Sequence, residues 1–282
     1  MTAQSQEPIA AELSGVHTSR LDRWRHILFR VALTIRDLPD LLRGLTALLV
    51  GFARRDRMLE LWLGDSNSLG QNRSMTSAKL TVGAEGQVIW HLGPRLMYTV
   101  ARTGLPPRAV RAARLTRRWV RPERIVLFHS AGEIDCRCHL VPRLHDGTLD
   151  LGYVREYVDQ VCTFAEEFGA AIVAFLVQSP QSGAIPDVGI FPIQGDLADR
   201  VRVSEMLRAR LTEEVAARRG KVTALVVDPT DLLSLPDGSM DPSLASDGVH
   251  TNAEGIRRVR SRVRELGLAD RLRELGVRTS TR

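Results

Sequence analysis

The chain has 282 residues, 44% of them apolar and 26% charged, so it can bury a full core and a wholly disordered chain is excluded. Its formal charge of +6 comes almost entirely from arginine, since Lys79 and Lys221 are the only lysines. With 5% aromatic residues and no reader motif, nucleic acid is not an expected partner. Cys136, Cys138 and Cys162 are an odd number without disulfide or zinc-site spacing, so a reducing, cytoplasmic setting and no metal are expected.

Residues 1–18 read as a polar tail without the apolar stretch of a signal peptide. Residues 20–56 read as one or two amphipathic helices broken at Leu38-Pro39. Such helices can pack on a neighbouring domain, act as a lid or make peripheral membrane contact, and the apolar run 44–53 is too short to span a bilayer. The division expected is therefore a tail with amphipathic helices over 1–56 and a catalytic domain over 57–282.

Leu59 to Leu63 is the first strand candidate, and Gly64-Asp65-Ser66-Asn67 follows at once. A second short apolar run covers Gln87 to His91. Residues 95–124 then hold nine arginines against the single acid Glu123, which suggests a helix with several positive faces, able to attract phosphate or another anion. Arg124 to His129 and Ala170 to Val177 read as buried strands, with helical periodicity over 151–168 between them. Residues 178–199 form a long irregular segment. A helix over 200–219, a strand over 221–228 and a closing helix over 253–275 complete the pattern. Strands alternating with helices predict a parallel sheet covered on both faces, with ligands at the carboxyl ends of its strands.

Ser66 falls at such an end. A serine hydroxyl needs a base to take its proton and a third group to hold that base, and Asp247-Gly248-Val249-His250 supplies both types three residues apart. In a helical turn this spacing puts carboxylate and imidazole on one side. Other polar residues are open to two readings. His91 is a substrate contact or a satisfied polar group. Glu133 and Asp135 help bind a polar substrate or pair with Arg137 and Arg143. The Cys136-X-Cys138 pair reads as one face of a strand.

Gly64-Asp65-Ser66-Asn67 resembles the first block of the SGNH, or GDSL, hydrolase superfamily, and Asp247-Gly248-Val249-His250-Thr251-Asn252-Ala253-Glu254-Gly255 resembles its last. The resemblance runs from about Leu59 to about Val263. It implies a flavodoxin-like three-layer α/β/α sandwich with a central parallel sheet and, here, an N-terminal helical extension. It further implies Ser66 as nucleophile, His250 as base and Asp247 as its partner, without metal or organic cofactor. The superfamily completes its oxyanion hole with a glycine amide, best matched by Gly93, and with an asparagine at a position occupied here by Ile134, which cannot donate. Asn67, Asn72 or Arg137 could take that place. The string Gly132-Glu133-Ile134-Asp135-Cys136-Arg137 resembles a divergent branch found beside carbohydrate-modifying proteins.

The expected function is hydrolysis of O-acyl esters of a carbohydrate or similar small polar substrate through an acyl-serine. The alternatives are an O-acyltransferase moving an acyl group, for example from an acyl-CoA donor, to a sugar hydroxyl, and an inactive carbohydrate-binding relative.

Overall fold

Strand alternation sorts the core of this protein, seen in a computed structural model that describes residues 38–39, 42–47, 49–50, 58–66, 80–83, 87–116, 121–183 and 191–277. In β1 (Leu59–Gly64), Leu59, Leu61 and Leu63 enter one apolar cluster and Trp62 enters another. The same alternation recurs in β4 (Ile125–Ser130), where Leu127 and Phe128 part company, and in β5 (Ile172–Leu176), where Val173 and Ala174 do. A strand whose two faces are both apolar must lie between two layers, which is why these runs are nearly continuous in hydrophobic residues.

The sheet has six strands in the order β2, β3, β1, β4, β5, β6, with β2 at Leu80–Val82, β3 at Val88–His91 and β6 at Thr223–Val227. All neighbours are parallel except β2, which pairs antiparallel with β3. One layer contains α1 (Met97–Thr103), α2 (Pro107–Thr116), α4 (Tyr153–Phe168) and α5 (Leu197–Ala217). The short α3 (Val141–His145) adjoins it, and a four-residue α6 (Thr230–Leu233) follows β6. The opposite layer is built on α7 (Ala253–Glu265) and α8 (Leu268–Glu274). This is the expected three-layer α/β/α sandwich, with an antiparallel edge strand added.

Several details depart from the sequence reading. The arginine-rich segment forms two helices, because Gly104 at φ +72° and Pro106 interrupt it. The closing helix breaks after Glu265, where Gly267 adopts φ +58°. The segment Asp135–Leu140 is a π-helical turn, so Cys136 and Cys138 do not lie on a strand. All three cysteines are buried free thiols.

In the N-terminal extension, residues 42–47 are helical. Gly44 faces β2 so closely that a Cβ there would sit 2.8 Å from the amide nitrogen of Thr81. The helix therefore packs through Gly44 and Ala47, leaving Leu42 and Leu49 more than half exposed at 53% and 59%. No helix among the described residues is long and apolar enough to cross a membrane.

Gly64 is the tightest point of the sheet. A Cβ on it would lie 2.5 Å from the carbonyl oxygen of Ser130 on β4, an approach that backbone cannot accommodate without moving. Gly64→Ala should lower the unfolding free energy by about 1–3 kcal/mol, read from urea denaturation, because the added methyl forces β1 and β4 apart.

Candidate active site

The carboxyl edge of the sheet is where β1 delivers Gly64 and Asp65, β3 delivers His91 and β4 delivers Ser130. Asp65 is buried, and its amide donates to Ser130 O at 3.3 Å. Ser66 follows in helical conformation and is partly exposed. The amide of Leu92 donates to Gly64 O at 2.8 Å, which pins the loop carrying Gly93 beside the serine turn. Gly93 has φ +86° and open space where a side chain would stand. His91 is partly exposed at the end of β3, in register with Gly64.

Asp247 and His250 meet, though in a different geometry from the helical turn expected. Asp247 Oδ1 accepts from the amides of Val249 at 3.0 Å and His250 at 2.8 Å, and Gly248 takes φ +82°. The strand bridge between Ala245 and Thr251 closes the turn. A carboxylate with two oxygens can close a tight turn with one and keep the other free, so here the side chain replaces the helix as organiser. Oδ2 contacts His250 Nδ1 at 2.7 Å.

Burial alone would raise the Asp247 carboxyl, but the bonds from the His250 side chain and the two amides outweigh it and hold the group below its ordinary value. An ionised carboxylate can only accept, so Nδ1 carries a proton; in the neutral imidazole the electron pair is then on Nε2, the tautomer a general base requires. Nε2 is buried and has no hydrogen-bond partner among the described residues, Ser66 included.

The next residues fix the turn to α7. Asn252 caps the helix by accepting from Glu254 and Gly255 amides at 3.0 and 3.1 Å, and its Nδ2 donates to Ser243 O at 2.7 Å. A Cβ on Gly255 would lie 2.8 Å from Thr251 Cβ, so glycine is needed for this close approach.

The Glu133 string is organised by internal contacts. Arg137 Nε donates to Glu133 Oε1 at 2.8 Å, both side chains being about 5% exposed or less, and its Nη1 donates to Phe191 O at 2.8 Å. That arrangement corresponds to the ion-pair alternative for Glu133, with Arg137 as its partner. Asp135 instead accepts from the amides of Met97 at 2.7 Å and Tyr98 at 3.2 Å, capping α1 and fixing the end of the Gly93 loop. Burial first, opposed by those amides, raises its carboxyl to about 6. Ile134 is buried and, as expected, offers no donor. Asn67 and Asn72 lie outside the described residues.

Sequence reasoning missed a polar pair beneath the serine turn. His129 Nδ1 and the Tyr157 hydroxyl are 2.8 Å apart, and burial lowers the imidazole to about 3. The folded protein thus keeps His129 neutral, while the unfolded chain takes up a proton below its ordinary value near 6.5. This site's contribution to stability is present above pH 6.5 and is lost progressively as pH falls from there towards 3. Replacing both partners, His129→Leu with Tyr157→Phe, should flatten that part of the stability profile in urea melts at pH 7.5 and 4.5.

A cleft of about 770 Å³ opens between α5 and α6, but it contains none of Ser66, Gly93, Asp247 or His250. Its arginines have acidic partners: Arg262 bonds Asp231 at 2.5 Å, and Arg208 lies 3.9 Å from Asp228.

No protein-family model and no curated protein sequence matches the chain. Among solved structures, a GDSL-like lipase from Bacteroides thetaiotaomicron VPI-5482 is 13% identical with a TM-score of 0.49, over 76% of this chain and 88% of the other. The α/β/α layering stands on the chain's own strand order. Two further matches are a carbohydrate esterase family 3 protein from Talaromyces cellulolyticus and the carbohydrate acetylesterase Est24 from Sinorhizobium meliloti. The first is 13% identical (TM-score 0.45) and covers 77% of this chain and 99% of its own. The second is 17% identical (TM-score 0.44) and covers 75% of this chain and 100% of its own. The chemistry of this chain is read from its own residues.

Proposed function

We propose that the chain is a serine-dependent acyl-ester hydrolase of the SGNH type, acting on O-acyl esters of a carbohydrate or similar small polar substrate. The observation that carries this reading is the Asp247 and His250 pair, which leaves an electron pair on a buried Nε2 with no described partner. Catalytic hydrogen bonds are often long without substrate and tighten in the complex, so Ser66 is the group this nitrogen serves.

Chain geometry supports bringing the two together. Arg260 on α7 bonds Glu60 on β1, tying the two elements at one level. From that level α7 reaches back about 12 Å to its cap at Asn252, eight residues at helical rise. β1 advances about 13 Å from Glu60 to Gly64, four residues at strand rise. His250 and Ser66, each two residues further on, thus fall near the same height at the carboxyl edge.

In the proposed reaction Ser66 Oγ passes its proton to His250 Nε2 as it attacks the ester carbonyl. The amides of Ser66 and Gly93 face the oxyanion that develops, and Asp247 stabilises the imidazolium. The protonated imidazole then gives its proton to the leaving alcohol. Water, deprotonated by the same nitrogen, attacks the acyl-serine, and the acid departs with Ser66 restored.

Incubation with 4-nitrophenyl acetate, with and without a sugar acceptor, tests this. Free acetate matching nitrophenolate in both tubes is the expected result. Acetylated sugar formed in place of acetate would make the enzyme a transferase, and no nitrophenolate above the buffer rate would contradict the proposal.

A further inference from the structure

The loop that carries Gly93 continues into a cluster of arginines. Arg95, two residues on, has its Nε buried with no hydrogen-bond partner among the described residues. Tyr98 on α1 is 41% exposed, and its ring lies between two guanidiniums, Arg102 at 6.0 Å and Arg143 at 5.8 Å. Tyr153 packs edge-on against it at 5.5 Å, holding the ring in place. Neither exposed arginine has a carboxylate partner among the described residues.

The acids that act on Tyr153 in this cluster are engaged elsewhere: Asp135 by the Met97 and Tyr98 amides, Asp150 by the Gly152 amide at 2.7 Å. Two like charges held on one aromatic ring, neither of them in an ion pair among the described residues, raise the local positive potential and attract an anion. Guanidinium is also the side chain best shaped to grip a phosphate or carboxylate with two parallel bonds. Five residues separate Gly93 from Tyr98, at most about 18 Å of chain, so one substrate can span the oxyanion amide and this ring.

We infer that Arg102 and Arg143 at the Tyr98 ring, with Arg95 three positions earlier in the chain, form a subsite for an oxyanionic substituent of the substrate, phosphate or carboxylate. The inference rests on the proposed acyl-ester chemistry for its purpose, while its binding test stands apart from turnover.

Calorimetric titrations of the full chain with matched probes decide it: coenzyme A against pantetheine for phosphate, glucuronic acid against glucose for carboxylate. The charged member of at least one pair should bind about 10-fold or more tightly than its neutral mate, and the double variant Arg102→Gln/Arg143→Gln should abolish that preference. Both arginines are exposed, so the variant should keep its fold, with an unchanged thermal midpoint. Equal binding within both pairs, or a preference the variant retains, overturns the subsite. If the wild type turns over no ester, the catalytic proposal fails, while the titrations still decide the subsite.

Discussion

Ser66→Ala should reduce kcat for 4-nitrophenyl acetate by a factor of about 10⁴ or more and leave thermal stability unchanged. The residue is partly exposed and follows β1 rather than filling its core, so losing a hydroxyl there leaves the packing intact. His250→Ala should cost about as much, and the double variant little more than either, because nucleophile and base act as one unit. Asp247→Asn is the more discriminating change. An amide can donate to Nδ1 as well as accept, so the imidazole can turn its proton towards Ser66, and activity should fall about 10²- to 10⁴-fold. Additive losses from Ser66 and His250 would indicate that the two do not serve one step.

Removing Glu60 should be the most destabilising single change in the fold, because its partner is 200 residues away and buried with it. Arg260 donates to Glu60 at 2.5 and 3.0 Å, with side-chain exposures of only 5% and 12%. Trp62 Nε1 also donates to Glu60 at 3.1 Å, the Arg260 guanidinium lies 5.9 Å from the Trp62 ring, and Trp62 stacks on Phe128 at 4.2 Å. Glu60→Leu removes both oxygens that accept from this buried guanidinium and should lower the unfolding free energy by about 3–5 kcal/mol. Replacing the pair together, Glu60→Leu with Arg260→Met, should recover most of the loss, since no unpaired charge remains. Even then activity should stay depressed, because the pair sets the level at which α7 presents His250. Full activity in the double variant would mean that α7 is positioned by apolar packing alone.

The sheet was legible because its strands are short, β-branched runs bounded by glycine, proline or charge, and four of the five parallel strands were placed within two residues of their ends. The three-residue β2 carries no such contrast and was missed. Gly267 after Leu266 was a readable stop signal, but the arginines on both sides kept the helical period running through it. At the site, Asp247 and His250 were legible because they lie three positions apart. The Asp135 cap on α1, the Glu60 and Arg260 pair and the contact of Arg143 with Tyr98 join residues 37 to 200 apart, and no local pattern announces them. The π-helical turn at Asp135–Leu140 is likewise a product of tertiary packing rather than of propensity.

Mass spectrometry after exposure to a fluorophosphonate tests the central claim most directly, since the reagent modifies only a serine that a neighbouring base has activated. One adduct per chain, mapped to Ser66 and absent from both Ser66→Ala and His250→Ala, is the predicted result. An unmodified wild-type chain, or an adduct that persists in either variant, would contradict the pairing of Ser66 with His250.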